Sequence, residues 1–338
     1  MAACALVAAA LVACSKDDAP APQEDPEFYT VQLGWDGEIL DVVGYEPLTR
    51  ANSADDLYGI QVYSRPDDDA TTPTWTPFAY GLFDGAADIS INLLKGYKYK
   101  FVATMVVDGK NKIASGTGGY YQPFSRQVGI STSGTELENK FDYQSEKYIL
   151  GLHSGHSSLK PNQASFKNPN TERFYGELVD YEPGEKGAKA KINMKRTSFG
   201  AKFIVKGAKA KDGKLKVQLT GAPAMELALT TSDNQISDIF TFSNVAAAWA
   251  DNKYTETIAV TINWERPDGT TLPLGTHDVT YKRNATTVVH VNIENDGTSN
   301  GLGFETAETE TGTPTEDGEN DITITDGEVV DTEVDTNK

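Results

Sequence analysis

Cysteine is almost missing from this 338-residue chain: the two present, Cys4 and Cys14, both fall in its first 14 residues. Everything after Cys14 must fold without disulfides or thiolate ligands, which removes the cross-linked secreted scaffolds and the cysteine-rich zinc modules. Histidine is scarce too, with four residues. Positive charge is in deficit: 30 Lys and Arg stand against 49 Asp and Glu, a net of −19. Nucleic acid is excluded as a partner on that ground, because a phosphate backbone is held by Lys and Arg surfaces. The deficit is uneven. Residues 294–338 carry 14 acids and one Lys, net −13, whereas the preceding 293 residues carry 35 acids and 29 bases, net −6. Long apolar runs are lacking apart from residues 2–13, and at about a dozen residues that run falls short of the ~20 a spanning helix needs.

What is abundant points to strands. Glycine (30) and tyrosine (15) are frequent, and Gly and Pro punctuate short alternating runs. Over residues 97–107 the odd positions are apolar or aromatic, so they face a core while Lys98, Lys100 and Thr104 face water. Asp108-Gly109 then signals a turn. The same alternation recurs at 199–205, at 214–220 after Asp212-Gly213, at 258–264 and at 289–293. Helical spacing is sparse, the best stretch being 236–250 with one or two turns at 245–250. Many short, half-buried strands must pair as two sheets face to face, so the expected class is all-β with a sandwich architecture.

The length fits two such domains, expected at 28–187 and 188–293, with the division in the Gly/Lys-rich stretch around residue 187. Residues 294–320 are too polar to offset the entropy cost of ordering. An island follows, Ile322-Thr323-Ile324-Thr325 and then Glu328-Val329-Val330, alternating like a strand but with no expected hairpin partner nearby. It is either a strand for another sheet or part of a disordered acidic tail.

The apolar run ends in Leu11-Val12-Ala13-Cys14, which resembles the lipobox of bacterial lipoproteins. Residues 1–13 are then an export signal and Cys14 the lipidation site. No Lys or Arg precedes Lys16, so the usual basic start is missing, and an incidental Ala-rich leader is the other reading. Ser15-Lys16-Asp17-Asp18 resembles the short signal that sends some lipoproteins to the outer face of the outer membrane. Residues 14–27 read as the lipidated Cys and an extended spacer.

Catalytic motifs are absent: no HExxH helix, no GxSxG elbow and no phosphate-binding Gly loop. Among 49 carboxylates no acid pair stands out for hydrolysis. His153 and His156 read as a polar loop rather than a metal site, and Asp67-Asp68-Asp69 lacks the Gly and Glu of a calcium loop. No cofactor is expected. Trp75, with Phe78, Tyr80 and Phe83, and Trp264 are either core residues or exposed platforms for a glycan or a protein partner.

In order along the chain come Tyr29-Thr30-Val31-Gln32-Leu33, Glu46-Pro47-Leu48-Thr49-Arg50-Ala51 leading into Asp56-Leu57-Tyr58-Gly59-Ile60-Gln61-Val62-Tyr63, then Met194-Lys195-Arg196-Thr197-Ser198-Phe199-Gly200-Ala201-Lys202-Phe203 and Tyr281-Lys282-Arg283-Asn284. With the lipobox, this succession resembles the fimbrillin-type lipoproteins, subunits of type V pili, over nearly the whole chain. The resemblance implies two tandem transthyretin-like sandwiches and a structural or adhesive role without catalysis. It also implies outer-membrane anchoring, other fimbrial subunits as partners in a homo- or hetero-polymer, and a host or bacterial surface receptor. In such pili an Arg-specific protease cuts after the first strand, and a strand from the next subunit fills the groove. Arg50 stands in the matching loop, where it is either the cleavage site or an ordinary loop residue. Ile322, Ile324, Val329 and Val330 would supply the inward side chains of a donor strand, and the 27 residues before them reach ~90 Å at ~3.3 Å each. The alternative from another class is a surface glycan-binding lipoprotein of a nutrient-uptake system.

Overall fold

The structure is a computed structural model and describes residues 27–40, 55–67, 74–143, 147–184, 188–207, 212–230, 234–293, 304–310, 321–325 and 328–331. Five long strands come first: β1 (Phe28–Asp36), β2 (Leu57–Pro66), β3 (Thr76–Phe83), β4 (Ser90–Leu94) and β5 (Tyr97–Val106). The connection 107–172 holds a one-turn helix α1 (Gly109–Lys112) and short strands β6 (Ser115–Gly116), β7 (Gly119–Tyr120), β8 (Arg126–Val128) and β9 (Ser131–Ser133). After them come β10 (Phe141–Tyr143), β11 (Ile149–Leu150), β12 (Ser157–Leu159) and β13 (Ala164–Phe166). Two long strands, β14 (Arg173–Tyr181) and β15 (Lys189–Arg196), complete one eight-stranded sheet in the order β10-β3-β2-β5-β14-β15-β1-β4.

That sheet rolls over until its two ends meet, where the Asn92 N–H on β4 donates to the Tyr143 hydroxyl on β10 at 2.8 Å. Its concave face holds one core, built from Val31, Ile60, Phe101, Phe174 and Ile192 among others. Its convex face is covered as well. The connection 107–172 lays Ile113, Phe124, Leu150 and Leu152 over Leu82, Val102, Val106 and Tyr175. Gly59 on β2 is bare because Phe124 lies against it: a Cβ there would sit 2.7 Å from the Phe124 ring.

The second cover overturns one reading of the alternation, and a bulge in β3 breaks the period elsewhere. Thr104, expected in water, is fully buried. Its hydroxyl donates to the Phe174 carbonyl at 2.8 Å and accepts from Arg173 Nε at 2.7 Å. On β3 the register skips at Phe78, and such a bulge reverses which face the next side chains take. Phe78 therefore joins the concave core, whereas Tyr80 and Leu82 pack on the convex side.

The second half is a two-sheet sandwich. Its strands are β16 (Ser198–Lys206), β17 (Lys214–Leu219), β18 (Met225–Ala228), β19 (Gln235–Thr241), β20 (Thr255–Glu265), β21 (Thr271–Lys282) and β22 (Ala285–Asn292). One layer reads β19-β16-β22 and the other β18-β17-β20-β21. Phe199, Phe203, Leu215, Val217, Phe240, Ile262 and Tyr281 fill the space between. The stretch expected to be helical divides, since 235–241 is strand and a six-residue helix α2 covers Val245–Ala250. The Asn244 side chain caps that helix by accepting from Ala247 N at 3.0 Å. The sheets change over between Arg196 and Ser198, with the Gly/Lys-rich stretch around residue 187 lying in the preceding β14–β15 connection.

The tail adds β23 (Phe304–Glu310), β24 (Asp321–Thr325) and β25 (Glu328–Asp331), which extend the β22 edge in successive antiparallel steps. The island at 321–331 thus has the hairpin partner that its sequence did not reveal.

Arg173 is fully buried and takes its acceptors from Thr104 and from two carbonyls, those of Ser154 and Leu152, at 2.6–2.7 Å. Thr104→Val keeps the shape and removes one acceptor from a buried cation. The expected loss is about 2 kcal/mol of unfolding free energy, read from urea denaturation; an unchanged midpoint at constant slope would show the contact to be dispensable.

Candidate functional site: the bed of the first strand

β1 enters the sheet between two strands that lie far apart in sequence. It runs parallel to β15, with Gln32 opposite Lys189 and Asp36 opposite Asn193, and antiparallel to β4, with Phe28 opposite Leu94 and Gln32 opposite Ser90. Its alternation places Val31, Leu33 and Trp35 in the concave core at 0%, 5% and 8% exposure. Each such side chain contributes about 2 kcal/mol by leaving water. The Trp35 ring lies 5.6 Å from that of Tyr58, and its Nε1 donates to the Ala86 carbonyl at 2.8 Å. Phe28, the first residue of the strand, remains 57% exposed. Lifting β1 out would bare the facing edges of β4 and β15 and the apolar side chains of Ile91, Leu93, Ala190 and Ile192 that share its core.

After β1 the chain turns through a 3-10 segment, Gly37–Ile39, started by Asp36 accepting from Gly37 N at 2.8 Å. Gly37 has φ +79°, and a Cβ there would meet Asn193 Oδ1 at 2.7 Å and the Met194 carbonyl at 2.8 Å. The turn delivers Glu38 to the junction of the two halves. Its Oε2 accepts from the Arg283 guanidinium at 2.7 Å and from Arg196 N at 2.8 Å. Arg283 is 6% exposed and also donates to the Arg196 carbonyl at 2.9 Å. Arg196 in turn reaches Glu172 at 3.0 Å, bonds to the Asn284 side chain and covers the Phe174 ring at 5.1 Å. Two stretches singled out in the sequence, around Arg196 and around Arg283, therefore meet here. Glu38, which joins them to the first strand, is a lone acid among 49 and carried no sequence signal.

The other predicted residues are dispersed. Cys14 and Arg50 lie outside the described residues, Arg50 within 41–54, the connection from β1 to β2. Ile322 and Ile324 lie on β24, opposite Asp331 and Val329, and Val330 on β25 is opposite Thr323. Trp75 is half-buried beneath the Arg65 guanidinium at 5.2 Å. It borders a cleft of about 260 Å³ with Gln61, Tyr63, Lys100, His153 and Glu177. There burial and nearby Glu177 push the Tyr63 phenol up to about 12. Trp264 is a core residue at 5% exposure, its Nε1 donating to the Asp212 carbonyl at 3.0 Å. A ring so enclosed has no face for a sugar or a partner, which corrects its reading as a contact platform.

The His153–His156 loop holds the two halves together. Gly155 N donates to the Ser243 carbonyl at 2.9 Å, and a Cβ on Gly155 would fall 2.0 Å from the Phe242 carbonyl. Among the described residues no group of three His, Cys, Asp or Glu could hold a metal ion, and no helix is long and apolar enough to cross a membrane.

No family model matches the sequence, and no curated protein matches it. Solved structures do. The tip fimbrial protein Mfa3 of Porphyromonas gingivalis, with a C-terminal truncation, is 8% identical at a TM-score of 0.35, covering 85% of this chain and 100% of its own. The fimbrial anchor protein Mfa2 of the same organism is 9% identical at 0.37, covering 84% and 97%. A Bacteroides thetaiotaomicron structure proposed to be polysaccharide-binding is 9% identical at 0.39, covering 83% and 95%. Likeness at this level does not extend to residue correspondences.

Glu38→Gln removes the carboxylate facing the enclosed Arg283. The expected cost is about 2 kcal/mol, that of a charge-assisted hydrogen bond, measured by chemical denaturation and accompanied by faster amide exchange at residues 196–198; unaltered exchange there would remove Glu38 from the junction. Trp264→Ala should cost about 3–5 kcal/mol by opening a cavity, read as a fall in thermal midpoint, and a change below about 1 kcal/mol would contradict the core placement.

Proposed function

We propose that this chain is an exported, lipid-anchored protein of the bacterial outer membrane that serves at the cell surface as a structural or adhesive fimbrial subunit. The reading assigns it no catalysis. It takes the two cores as tandem sandwiches of the transthyretin-like kind, tethered through Cys14. Its partners are other subunits of a homo- or hetero-polymer and a receptor on a host or bacterial surface.

One observation carries the reading. β1 is paired along both edges and fills part of a core, yet it connects to the rest of the fold through a single stretch, residues 41–54. A cut at Arg50 would leave it held by non-covalent contacts alone. Its departure would open a slot with unpaired backbone on both sides and an apolar floor, which an alternating strand from another subunit can complete. The tail supports the donor part of the proposal, because 321–325 and 328–331 form strands that add to a sheet edge. In the proposed exchange Ile322, Ile324, Val329 and Val330 leave that edge and enter the slot of a neighbour. The alternative reading, a surface glycan-binding lipoprotein of a nutrient-uptake system, draws on Trp75, part of which remains exposed beside Tyr63.

Treatment of the folded protein with an Arg-specific endoprotease tests this. Intact mass should show a chain beginning at Ala51, and size-exclusion chromatography should show head-to-tail oligomers that grow with concentration. A chain trimmed at Arg50 that has lost its first strand and stays monomeric at every concentration would refute exchange.

A further inference from the structure

The connection 107–172 does more than cover the convex face of the first sheet. It folds a concavity of its own, apart from the bed of β1, with a volume of about 350 Å³. The lining comes from Tyr121, Gln122, Ser125, Thr132, Ser158 and Gln163, with Ser133 beside them. None of these side chains is charged, and each carries a hydroxyl or a carboxamide.

Neighbouring backbone fixes the walls. Tyr121 N donates to the Ala114 carbonyl at 2.9 Å, Phe124 N closes a turn onto the Tyr121 carbonyl at 2.9 Å, and Ser158 N donates to the Gln122 carbonyl at 3.0 Å. The Gln122 carboxamide oxygen accepts from Ser165 at 3.1 Å, which orients its amide group. Across the cavity β8 pairs with β9, where Arg126 Nε donates to the Ser133 hydroxyl at 3.1 Å. Phe124 anchors the whole to the core at 0% exposure.

Within this braced frame one group is left over. Ser125 is 3% exposed, and its hydroxyl has no hydrogen-bond partner among the described residues. A hydroxyl withdrawn from water and left unpaired destabilises the fold unless something else supplies the bond. None of the lining side chains would oppose the charge of an ionic ligand, and an apolar one would leave the Ser125 hydroxyl unsatisfied. A ligand whose own groups both donate and accept satisfies hydroxyls and carboxamides alike.

We propose that this cavity binds a neutral saccharide unit. Its hydroxyls bond to Ser125, Thr132 and Ser158 and to the carboxamides of Gln122 and Gln163, and Tyr121 provides an aromatic wall. The volume lies at the lower end of the range for small-molecule sites, ~300–1,000 Å³, which suits a single sugar or the end of a glycan. The site is independent of β1 and of assembly, so it stands or falls separately from the fimbrial reading.

The test titrates the full chain by calorimetry and saturation-transfer NMR. The panel contains neutral hexoses, deoxyhexoses and N-acetylhexosamines as free sugars and as reducing-end-capped oligosaccharides, with uronic and sialic acids beside them. At least one neutral sugar should bind saturably, and comparison of the free and capped forms identifies which source of the sugar the site takes. Ser125→Ala and Thr132→Ala should each weaken binding about tenfold, the loss of one hydrogen bond from a prepared site. Ser125→Ala should leave the thermal midpoint unchanged or raised. The proposal is overturned if no neutral saccharide binds, if acidic sugars bind as well as neutral ones, or if both hydroxyl replacements bind like the parent chain.

Discussion

Arg173 carries a guanidinium into a place shut off from solvent, where none of the described residues pairs it with a carboxylate, and much of the architecture serves to satisfy it. The side chain is fully buried at the start of β14, where burial pulls its pKa down to about 9, so it remains charged at neutral pH. Its charge is met by dipoles: the Thr104 hydroxyl on the adjacent strand and the carbonyls of Leu152 and Ser154 in the covering connection. Its backbone reaches the second half, with its N–H donating to the Ser198 hydroxyl at 2.8 Å and its carbonyl accepting from Thr197 N at 2.8 Å. A buried cation is tolerated only when its donors are placed in good geometry. The central strands, the cover and the first strand of the second sandwich are therefore held in one fixed relation.

Around that point the two halves repeat one topological idea. Each lays its first strand parallel to the last strand of its sandwich, β1 against β15 and β16 against β22. They differ in how the first strand is held. β16 continues directly from β15 and is bound by the chain at both ends, whereas β1 joins the fold at one end through residues 41–54. Under the proposed exchange, this difference singles out the first strand. Glu38 adds a second consequence, because a segment that leaves with β1 also takes away the carboxylate on which Arg283 rests.

The strands were legible because alternation is enforced wherever one face of a sheet is wet. The all-β class and the core positions of β16, β17, β20 and β22 follow from that period, as do those of β5 apart from Tyr97, which is exposed at the strand's start. The alternation misleads where a second cover removes the wet face, as at Thr104, and where a bulge resets it, as at Phe78. Glycine and lysine near residue 187 fall in the sequence between β14 and β15, which share the first sheet, and the change of sheet at Thr197 has no compositional signature. Trp75 and Trp264 could not be told apart in sequence, since only the surrounding residues decide that one is enclosed. Glu38 and Ser125 were illegible for a related reason: a single acid or serine acquires meaning from what lies opposite it in space.

The parallel pairing of first and last strands also sets how the molecule bears tension. A pull entering at the N-terminus runs up β1, and the opposing pull from the second sandwich leaves through the C-terminal end of β15, at Arg196. Because the strands are parallel, the two forces slide them past each other. The paired positions from Gln32–Lys189 to Asp36–Asn193 are then loaded together instead of one after another. The second half repeats this for a pull taken up by the tail, which enters β16 at its beginning and leaves β22 at its end, across seven paired positions. Each half thus contributes one parallel pairing that such a pull would load in shear.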